Sequence, residues 1–355
     1  MRLKYLFAFV MVFAIVLKGC AVAPVEYYPE IYIISEFENE PIYDYQDIYD
    51  YQDMEDIIIP DYITIRGEQF STTSTSLFLS RMDLSDEDII SLRYMTNLTL
   101  LSLNYNKIND ITPLENLTGL THLVLNNNTI SDITPLARLT DLTLLALSGN
   151  TISDLTPLAN SDLTNLTALN LNDNQISDLT PLANSSLTNL THLLLDDNQI
   201  SDIAPLAELV SLQNLYLMSN KISDIAPLAD LTNLTILSLA DNRINDIVPL
   251  AELISLQNLY LGFNQTSDIT PLVELASLRS LCLMSNKISD LPPLTNLTNL
   301  SWLFLDHNQI IDITPLADLP NNNTRLVLYD NPISDWQPVE HFLNVFGRPY
   351  NGEED

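Results

Sequence analysis

Catalysis by side chains requires nucleophiles, bases and acids that lie within hydrogen-bonding distance of one another. His122 and His192 occupy equivalent positions three sequence repeats apart, so at about 4.8 Å per strand they lie roughly 14 Å from each other and cannot share a metal ion or a proton. Cys282 and His307 fall in adjacent repeats but three positions out of step, about 10 Å by strand rise, which is too far for a thiolate–imidazole pair. With no serine–histidine–acid set and no phosphate-binding loop, the sequence predicts a protein that is not an enzyme.

One group of acids could hold a metal ion. Asp173, Asp196 and Asp197 lie at the ends of neighbouring predicted strands and could share a calcium ion through carboxylate oxygens. Solvated acids on an acidic protein are the favoured interpretation, and no cofactor is predicted.

A repeat sets the elements that position these side chains. From Thr96 to Leu319 the pattern LxxLxLxxNxIxDIxPLxxL runs through ten consecutive units, eight of 22 residues and two, 140–163 and 164–187, of 24. The alternating LxL predicts a short strand with leucines on one face. The asparagine is predicted to satisfy backbone groups of its own turn and of the neighbouring turn, and the aspartate and proline predict a 3₁₀ or helical turn.

One unit cannot bury enough apolar surface to offset the conformational entropy lost on ordering it, so neighbouring units must stack. The predicted fold is an α/β solenoid: a leucine-rich-repeat arc with a parallel sheet on the concave face and short turns on the convex face. Residues 63–95 are predicted to form an N-terminal cap with a degenerate repeat, in which Ile63–Phe70 adds a strand and Met82 replaces the asparagine.

Residues 320–355 are predicted to hold a degenerate last repeat, with a strand at Arg325–Asn331, and a C-terminal helical cap. Four apolar residues there have the spacing i, i+3, i+4, i+7, namely Val339, Phe342, Leu343 and Phe346. This spacing predicts an amphipathic helix that ends at Gly347.

The first residues carry the features of an export signal. Arg2 and Lys4 precede thirteen uncharged residues, fewer than the about 20 that span a bilayer. The sequence Leu17-Lys18-Gly19-Cys20 resembles the lipobox of bacterial lipoprotein signal peptides, although Lys18 departs from it. The resemblance implies that residues 1–19 are removed and that Cys20 is lipidated; a plain secretory signal is the alternative.

The chain is strongly acidic, with 14 lysines and arginines against 46 carboxylates and a formal net charge of -32. This balance excludes nucleic acid as an expected partner and favours basic proteins or peptides. Residues 20–62 are rich in tyrosine and acids, and we predict a flexible tether there, although such a stretch could also fold onto a basic partner.

Residues before, between and after the strand leucines should face outward on the concave side. In the first units these are small or polar, whereas from the sixth unit onward large apolar side chains gather. We call them the concave patch: Tyr216, Met218, Tyr260, Phe263, Met284, Trp302 and Phe304, with Cys282 as a small member. Such clustering is typical of a partner-binding surface, while the alternative is that side chains on a concave sheet cover one another.

The units resemble the 22-residue leucine-rich repeats of bacterial internalins and the related repeats of a eukaryotic phosphatase regulator. The resemblance covers residues 72–335 and implies a curved, non-enzymatic scaffold that grips a protein or peptide on its concave strands. Together with Cys20 it implies an extracytoplasmic, lipid-anchored protein that touches the membrane by its anchor only. The acidic net charge adds the expectation that the partner has a basic rim. The alternatives are secretion without an anchor, a passive surface coat, and an intracellular scaffold.

Overall fold

The structure is a computed structural model that describes residues 59–183, 185–320 and 323–348. Its strands are β1 Tyr62–Ile65, β2 Glu68–Ser71, β3 Ser76–Phe78, β4 Leu100–Ser102, β5 His122–Val124, β6 Leu144–Ala146, β7 Ala168–Asn170, β8 His192–Leu194, β9 Asn214–Tyr216, β10 Ile236–Ser238, β11 Asn258–Tyr260, β12 Ser280–Cys282, β13 Trp302–Phe304, β14 Arg325–Val327 and β15 Asn344–Phe346. Two short α-helices are α1 Thr156–Ala159 and α2 Thr180–Ala183. The 3₁₀ turns are Glu87–Tyr94, Thr112–Leu114, Thr134–Arg138, Ala204–Leu206, Ala226–Leu228, Val248–Leu250, Thr270–Leu272, Thr314–Asp318 and Gln337–Val339.

Strands β3 to β15 form one parallel sheet in chain order. Each repeat contributes one strand, and the register aligns equivalent positions, as where Leu237 of β10 pairs with Leu259 of β11. The leucines at the middle positions of these strands belong to one continuous core that runs the length of the described solenoid. This confirms the predicted leucine-rich-repeat arc.

The repeat asparagines join neighbouring units through a hydrogen-bonded ladder. Asn128 donates from Nδ2 to the carbonyl oxygens of Leu103 and Leu125, at 3.0 Å each, and its Oδ1 accepts the N–H of Ile108 at 3.1 Å. The same pattern recurs along the sheet, for example at Asn264. The predicted role is confirmed, because each side chain satisfies backbone groups of its own turn and of the preceding unit.

The convex side carries the predicted short turns. Asp110 Oδ1 accepts the N–H of Thr112 at 2.8 Å, and Pro113 is the second residue of the turn that follows. The aspartate therefore holds the first N–H of the turn from two residues upstream. The two 24-residue units have room for a full α-helical turn, and α1 and α2 lie in them.

An antiparallel hairpin of β1 and β2 precedes the parallel sheet, so the predicted strand within Ile63–Phe70 is present as two strands. Ile63 and Ile65 are buried in the core. At Met82, where the asparagine is missing, the backbone N–H donates to Asn106 Oδ1 at 3.1 Å. The ladder bond itself comes from the Leu84 N–H to the same Oδ1 at 3.0 Å, as from Ile108 to Asn128 in the next unit, so the Met82 bond is an additional one.

The predicted C-terminal helix is wrong. Residues 337–339 form a 3₁₀ turn, and β15 then pairs in parallel with β14, so the repeat continues where a helix was expected. Val339 is fully buried but Leu343 is 76% exposed, which an amphipathic helix with both on one face would not allow. The i, i+3 spacing was misleading because the repeat also places buried residues three positions apart. Val339 and Phe342, which follow the proline of this unit, have this spacing.

Gly347 follows β15 instead of ending a helix. Its φ is +108°, and a Cβ at this position would lie 2.5 Å from the backbone nitrogen of Tyr329. The glycine is therefore required by a left-handed backbone conformation and by the close approach of the backbone of Leu328 and Tyr329, which follow β14.

The signal peptide predicted at 1–19, Cys20 and nearly all of the tether lie outside the described residues. Among the residues that the structure describes, no helix is long and apolar enough to cross a membrane.

Candidate functional site

Alternation along each strand presents its first and third residues on the concave face. In β13, Leu303 is buried in the core, so Trp302 and Phe304 lie on the opposite face. Their rings stack with centroids 5.6 Å apart and an angle of 6° between their planes. The guanidinium carbon of Arg325, on β14, lies 4.2 Å from the centre of the Trp302 ring, a cation–π contact.

Most of the concave patch is more buried than a freely exposed surface would be. Tyr216 and Tyr260 are each 7% exposed, and Met284 and Phe304 are also buried. Met218 and Trp302 are half-buried. Mutual packing contributes to this burial, which is the alternative raised from the sequence. Among the strand residues of the concave patch, Trp302 is the aromatic that stays partly open.

Gly262 shows how closely the patch packs. A Cβ at Gly262 would lie 2.9 Å from Met284 Cγ and 3.4 Å from Cys282 Sγ. The absence of a side chain thus lets the β12 residues lie over β11. Burial also raises the pKa of the Tyr260 hydroxyl.

Phe263, also predicted for the concave patch, lies in a turn and not in a strand. Its φ is 56°, and it lies in the turn after β11, at the position where other units have residues such as Ser219 or Asp241 with similar φ values. It is 39% exposed. The reason is that the left-handed residue breaks the two-residue alternation before the ladder asparagine.

A second row of side chains follows the strands. We call the outward residue after the second strand leucine of each unit the strand-end column. In this column Asn104 Oδ1 accepts the N–H of Asn126 at 2.9 Å, and Asn126 Oδ1 accepts that of Ser148 at 2.8 Å. Asn172 and Asp196 continue in the same way, with Asp196 Oδ1 accepting the N–H of Met218 at 2.6 Å. A side-chain oxygen thus holds the equivalent backbone N–H of the next unit.

Asp196 is a buried acid on this face. Burial raises its pKa from 3.8 to about 7, because desolvation penalises the charged carboxylate more than the Met218 N–H stabilises it. Asp196 was expected only as a possible metal ligand, and nothing in the sequence marked it as buried.

The calcium candidate is contradicted. No group of three or more His, Cys, Asp or Glu side chains able to hold a metal ion occurs in the described part of the chain. Asp196 is held by the strand-end column, whereas Asp173 and Asp197 lie in the left-handed turns, with φ of 53° and 54°. The three acids occupy neighbouring positions of the repeat, but Asp196 belongs to the strand-end column, whereas Asp173 and Asp197 belong to the row of turn residues.

Sequence reasoning missed a histidine between two acids. His307 Nδ1 lies 3.1 Å from Asp306 Oδ2, and His307 Nε2 lies 2.9 Å from Asp330 Oδ2. Asp306 belongs to the strand-end column and is 5% exposed, and burial raises its pKa. The signal that could have found this group is the left-handed turn, which places residue 307 beside residue 330 of the next unit.

The two strand histidines lie where they were expected, His122 in β5 and His192 in β8, with two strands between them. Burial lowers the pKa of each, because desolvation penalises the charged imidazolium. Each Nδ1 lies within 3 Å of the hydroxyl of the preceding threonine. These contacts are local, and they do not assemble a catalytic pair.

Comparison with protein families gives one consistent result. A model described as leucine-rich repeats in two copies matches residues 96–138, 188–230, 232–274 and 276–321, and a second leucine-rich-repeat model matches residues 140–200. Among curated protein sequences, none matches this chain.

Solved structures of internalins from Listeria monocytogenes are similar. Internalin InlF is 34% identical with a TM-score of 0.72, over 81% of this chain and 91% of that one. Internalin C2 is 40% identical with a TM-score of 0.51, over 55% of this chain and 85% of that one. A leucine-rich-repeat protein of Leptospira interrogans is 27% identical with a TM-score of 0.67, over 73% of this chain and 68% of that one.

These matches coincide with the stacked units, the asparagine ladder and the parallel sheet described above. The chain therefore belongs to the leucine-rich-repeat proteins and is an internalin-like member of that family.

Proposed function

We propose that this protein is a non-enzymatic interaction scaffold that binds a protein or peptide on the concave face of its C-terminal half. The observation that carries the proposal is the concave patch, with the stacked Trp302 and Phe304 at one end and Tyr216 at the other. Aromatic residues and methionine are enriched at the cores of interfaces, and they contribute much of the binding free energy there. The similarity to internalins supports the same role.

Site-specific photocrosslinking tests this proposal. A photoreactive amino acid at position 302 is expected to crosslink one discrete partner on cells or in their surroundings, identified by mass spectrometry. The matched control carries the same amino acid at position 248, because Val248 is 62% exposed and lies in a convex turn. Equal crosslinking from both positions, or none from position 302, would contradict the proposal and leave the passive surface coat as the better explanation.

We also propose an extracytoplasmic location with a lipid anchor at Cys20. The support is the signal-like sequence of residues 1–19 and the resemblance of residues 17–20 to a lipobox. The intact mass of the native protein tests it, since lipidation of Cys20 removes 19 residues and adds acyl chains. A mass equal to the full sequence would favour the intracellular scaffold, and a cleaved mass without acyl chains would favour secretion.

A further inference from the structure

Two exposed arginines flank Trp302 on the concave face. Arg325 is the register partner of Trp302 in β14, and its guanidinium carbon lies 4.2 Å from the centre of the Trp302 ring. On the other side, the carbonyl oxygen of Arg279 accepts the Trp302 N–H at 3.0 Å, so Arg279 lies in the neighbouring unit. Among the described residues neither arginine forms an ion pair with a carboxylate, although the sequence has 46 acids.

The distribution of charge across the strands explains why these arginines lack a carboxylate partner. We call the residue before each strand of the parallel sheet, together with the first residue of that strand, the strand-start column. From β3 to β15 this column contains no aspartate or glutamate, and its two arginines are Arg279 and Arg325. Exposed acids lie instead at the opposite ends of the strands, in the left-handed turns, namely Asp173, Asp197, Asp241 and Asp330.

The two charged rows act separately on a bound molecule. By strand rise, Asp330 lies roughly 15 Å from Arg325, which exceeds the Debye length of about 8 Å at physiological ionic strength. The strand-start column therefore presents positive charge locally, even though the formal net charge of the chain is -32.

Arg325 is held in a conformation that suits recognition of a carboxylate. A guanidinium over an aromatic ring contacts it with one face, whereas its N–H donors lie in its plane and stay available. The contact with Trp302 restricts the arginine side chain before any ligand binds, which reduces the entropy lost on binding. A carboxylate is the group that matches a planar guanidinium with two parallel hydrogen bonds.

Apolar surface lies beside this guanidinium. Val327 follows Arg325 by two residues and so lies on the same face of β14, and it pairs in register with Phe346 of β15. Val327 is half-buried and Phe346 is 42% exposed. This arrangement fits an acidic residue with an apolar neighbour in an extended segment of the partner.

We propose that Arg279 and Arg325 recognise an aspartate or glutamate side chain of the partner protein. The carboxylate accepts hydrogen bonds from the Arg325 guanidinium, Arg279 adds electrostatic attraction, and an adjacent apolar side chain packs against Val327 and Phe346. This inference rests on the proposed function and adds the orientation of the partner across the strands. Its acidic group lies at the strand starts, and its basic rim lies at the strand ends, beside the exposed acids of the turns.

Peptide binding to the full chain tests this proposal. The probes are capped heptapeptides, Gly-Ser-Leu-X-Leu-Ser-Gly, in which X is glutamate, glutamine or lysine, each with a neutral dye for fluorescence anisotropy. At about 150 mM sodium chloride we expect the glutamate peptide to bind with a Kd at least about five-fold lower than that of the glutamine peptide. Because the net charge of the chain repels an acidic peptide, this preference requires a local cation. Equal affinity for glutamate and glutamine, tighter binding of the lysine peptide, or no saturable binding would overturn the proposal.

Arg325→Gln is the decisive variant, with Arg138→Gln as its matched control. Arg138 is exposed at the end of a convex turn, so its variant removes the same charge away from the concave face. We expect Arg325→Gln to abolish the preference for glutamate with little change in melting temperature, because Arg325 is exposed, and Arg138→Gln to keep it. Retention of the five-fold preference in Arg325→Gln, or its loss in Arg138→Gln, would overturn the proposal.

Failure here is distinguishable from failure of the proposed function. If position 302 crosslinks a partner but the peptides show no preference for glutamate, the binding face stands and the carboxylate site falls. If neither experiment detects binding, both proposals fall.

Discussion

Polar side chains inside a solenoid of this kind act on stability through the backbone groups they satisfy. The ladder asparagines, such as Asn264, each hold carbonyls of two units, and the strand-end column adds a second row of bonds on the concave side. Asp196 and Asp306 lie in that second row as buried acids, which lowers stability at neutral pH. The predictions at this scale concern one side chain from each row.

Replacing a ladder asparagine should be costly. Asn264→Ala leaves the carbonyls of Leu239 and Leu261 and the N–H of Ile244 without their partner in a buried turn. We expect the free energy of unfolding to fall by about 3 kcal/mol, measured by urea denaturation. Gln265→Ala, at the exposed neighbouring position, should change it by less than about 0.5 kcal/mol. A loss of similar size in both variants would contradict the role of the ladder.

Asp196 should make stability depend on pH. Its folded pKa of about 7 lies above the ordinary 3.8, so the folded protein binds this proton more tightly than the unfolded chain does. Its contribution to stability is therefore greatest below about pH 4 and falls as the pH rises towards about 7.

Asp196→Asn keeps an oxygen for the Met218 N–H and removes the titration. We expect the variant and the parent to be similar at about pH 4, and the variant to be more stable at about pH 7.5 by as much as about 4 kcal/mol, since one pKa unit corresponds to about 1.4 kcal/mol. Urea unfolding at both pH values measures this. A stability difference that does not change with pH would count against a buried acid at this position.

At the scale of elements, the pattern of the repeat predicted the strands, the ladder and the convex turns, because each position has one physical role that recurs in every unit. The closing segment was not predictable in this way. There the repeat positions of Val339 and Phe342 coincide with helical spacing, and only the pairing of β15 with β14 separates the two interpretations.

The candidate site was predictable only in part. Alternation predicts that Trp302 and Phe304 lie opposite the core leucines, as they do, whereas it does not apply to Phe263, because that residue lies in a left-handed turn. The Asp306–His307–Asp330 group depends on contacts between units, which one unit of sequence does not display.

A pair of substitutions tests the closing unit. Val339 is fully buried after the last 3₁₀ turn, whereas Leu343 is 76% exposed. We expect Val339→Gln to lower the free energy of unfolding by about 2–3 kcal/mol and Leu343→Gln to change it by less than about 0.5 kcal/mol. Thermal denaturation of the two variants is sufficient. Equal destabilisation is the result that an amphipathic helix would give.

At the scale of the whole molecule, stability is the sum of units and the interfaces between them, opposed by repulsion among many like charges. The formal net charge is -32, and the ion pairs of the described residues are few. We therefore expect the melting temperature to rise by several degrees between about 20 mM and about 500 mM sodium chloride, because salt screens this repulsion. Calcium and magnesium at equal ionic strength should raise the melting temperature by the same amount. A larger rise with calcium would indicate a specific calcium site.

The central claim is that the concave face around Trp302 binds a partner. The most direct measurement is the affinity of the purified partner, identified by crosslinking, for Trp302→Ala and for the convex control Val248→Ala. We expect Trp302→Ala to weaken binding at least about 30-fold, as for a residue at the centre of an interface, and Val248→Ala to stay within about two-fold of the parent. An affinity of Trp302→Ala within about two-fold of the parent, with an unchanged melting temperature, would contradict the claim.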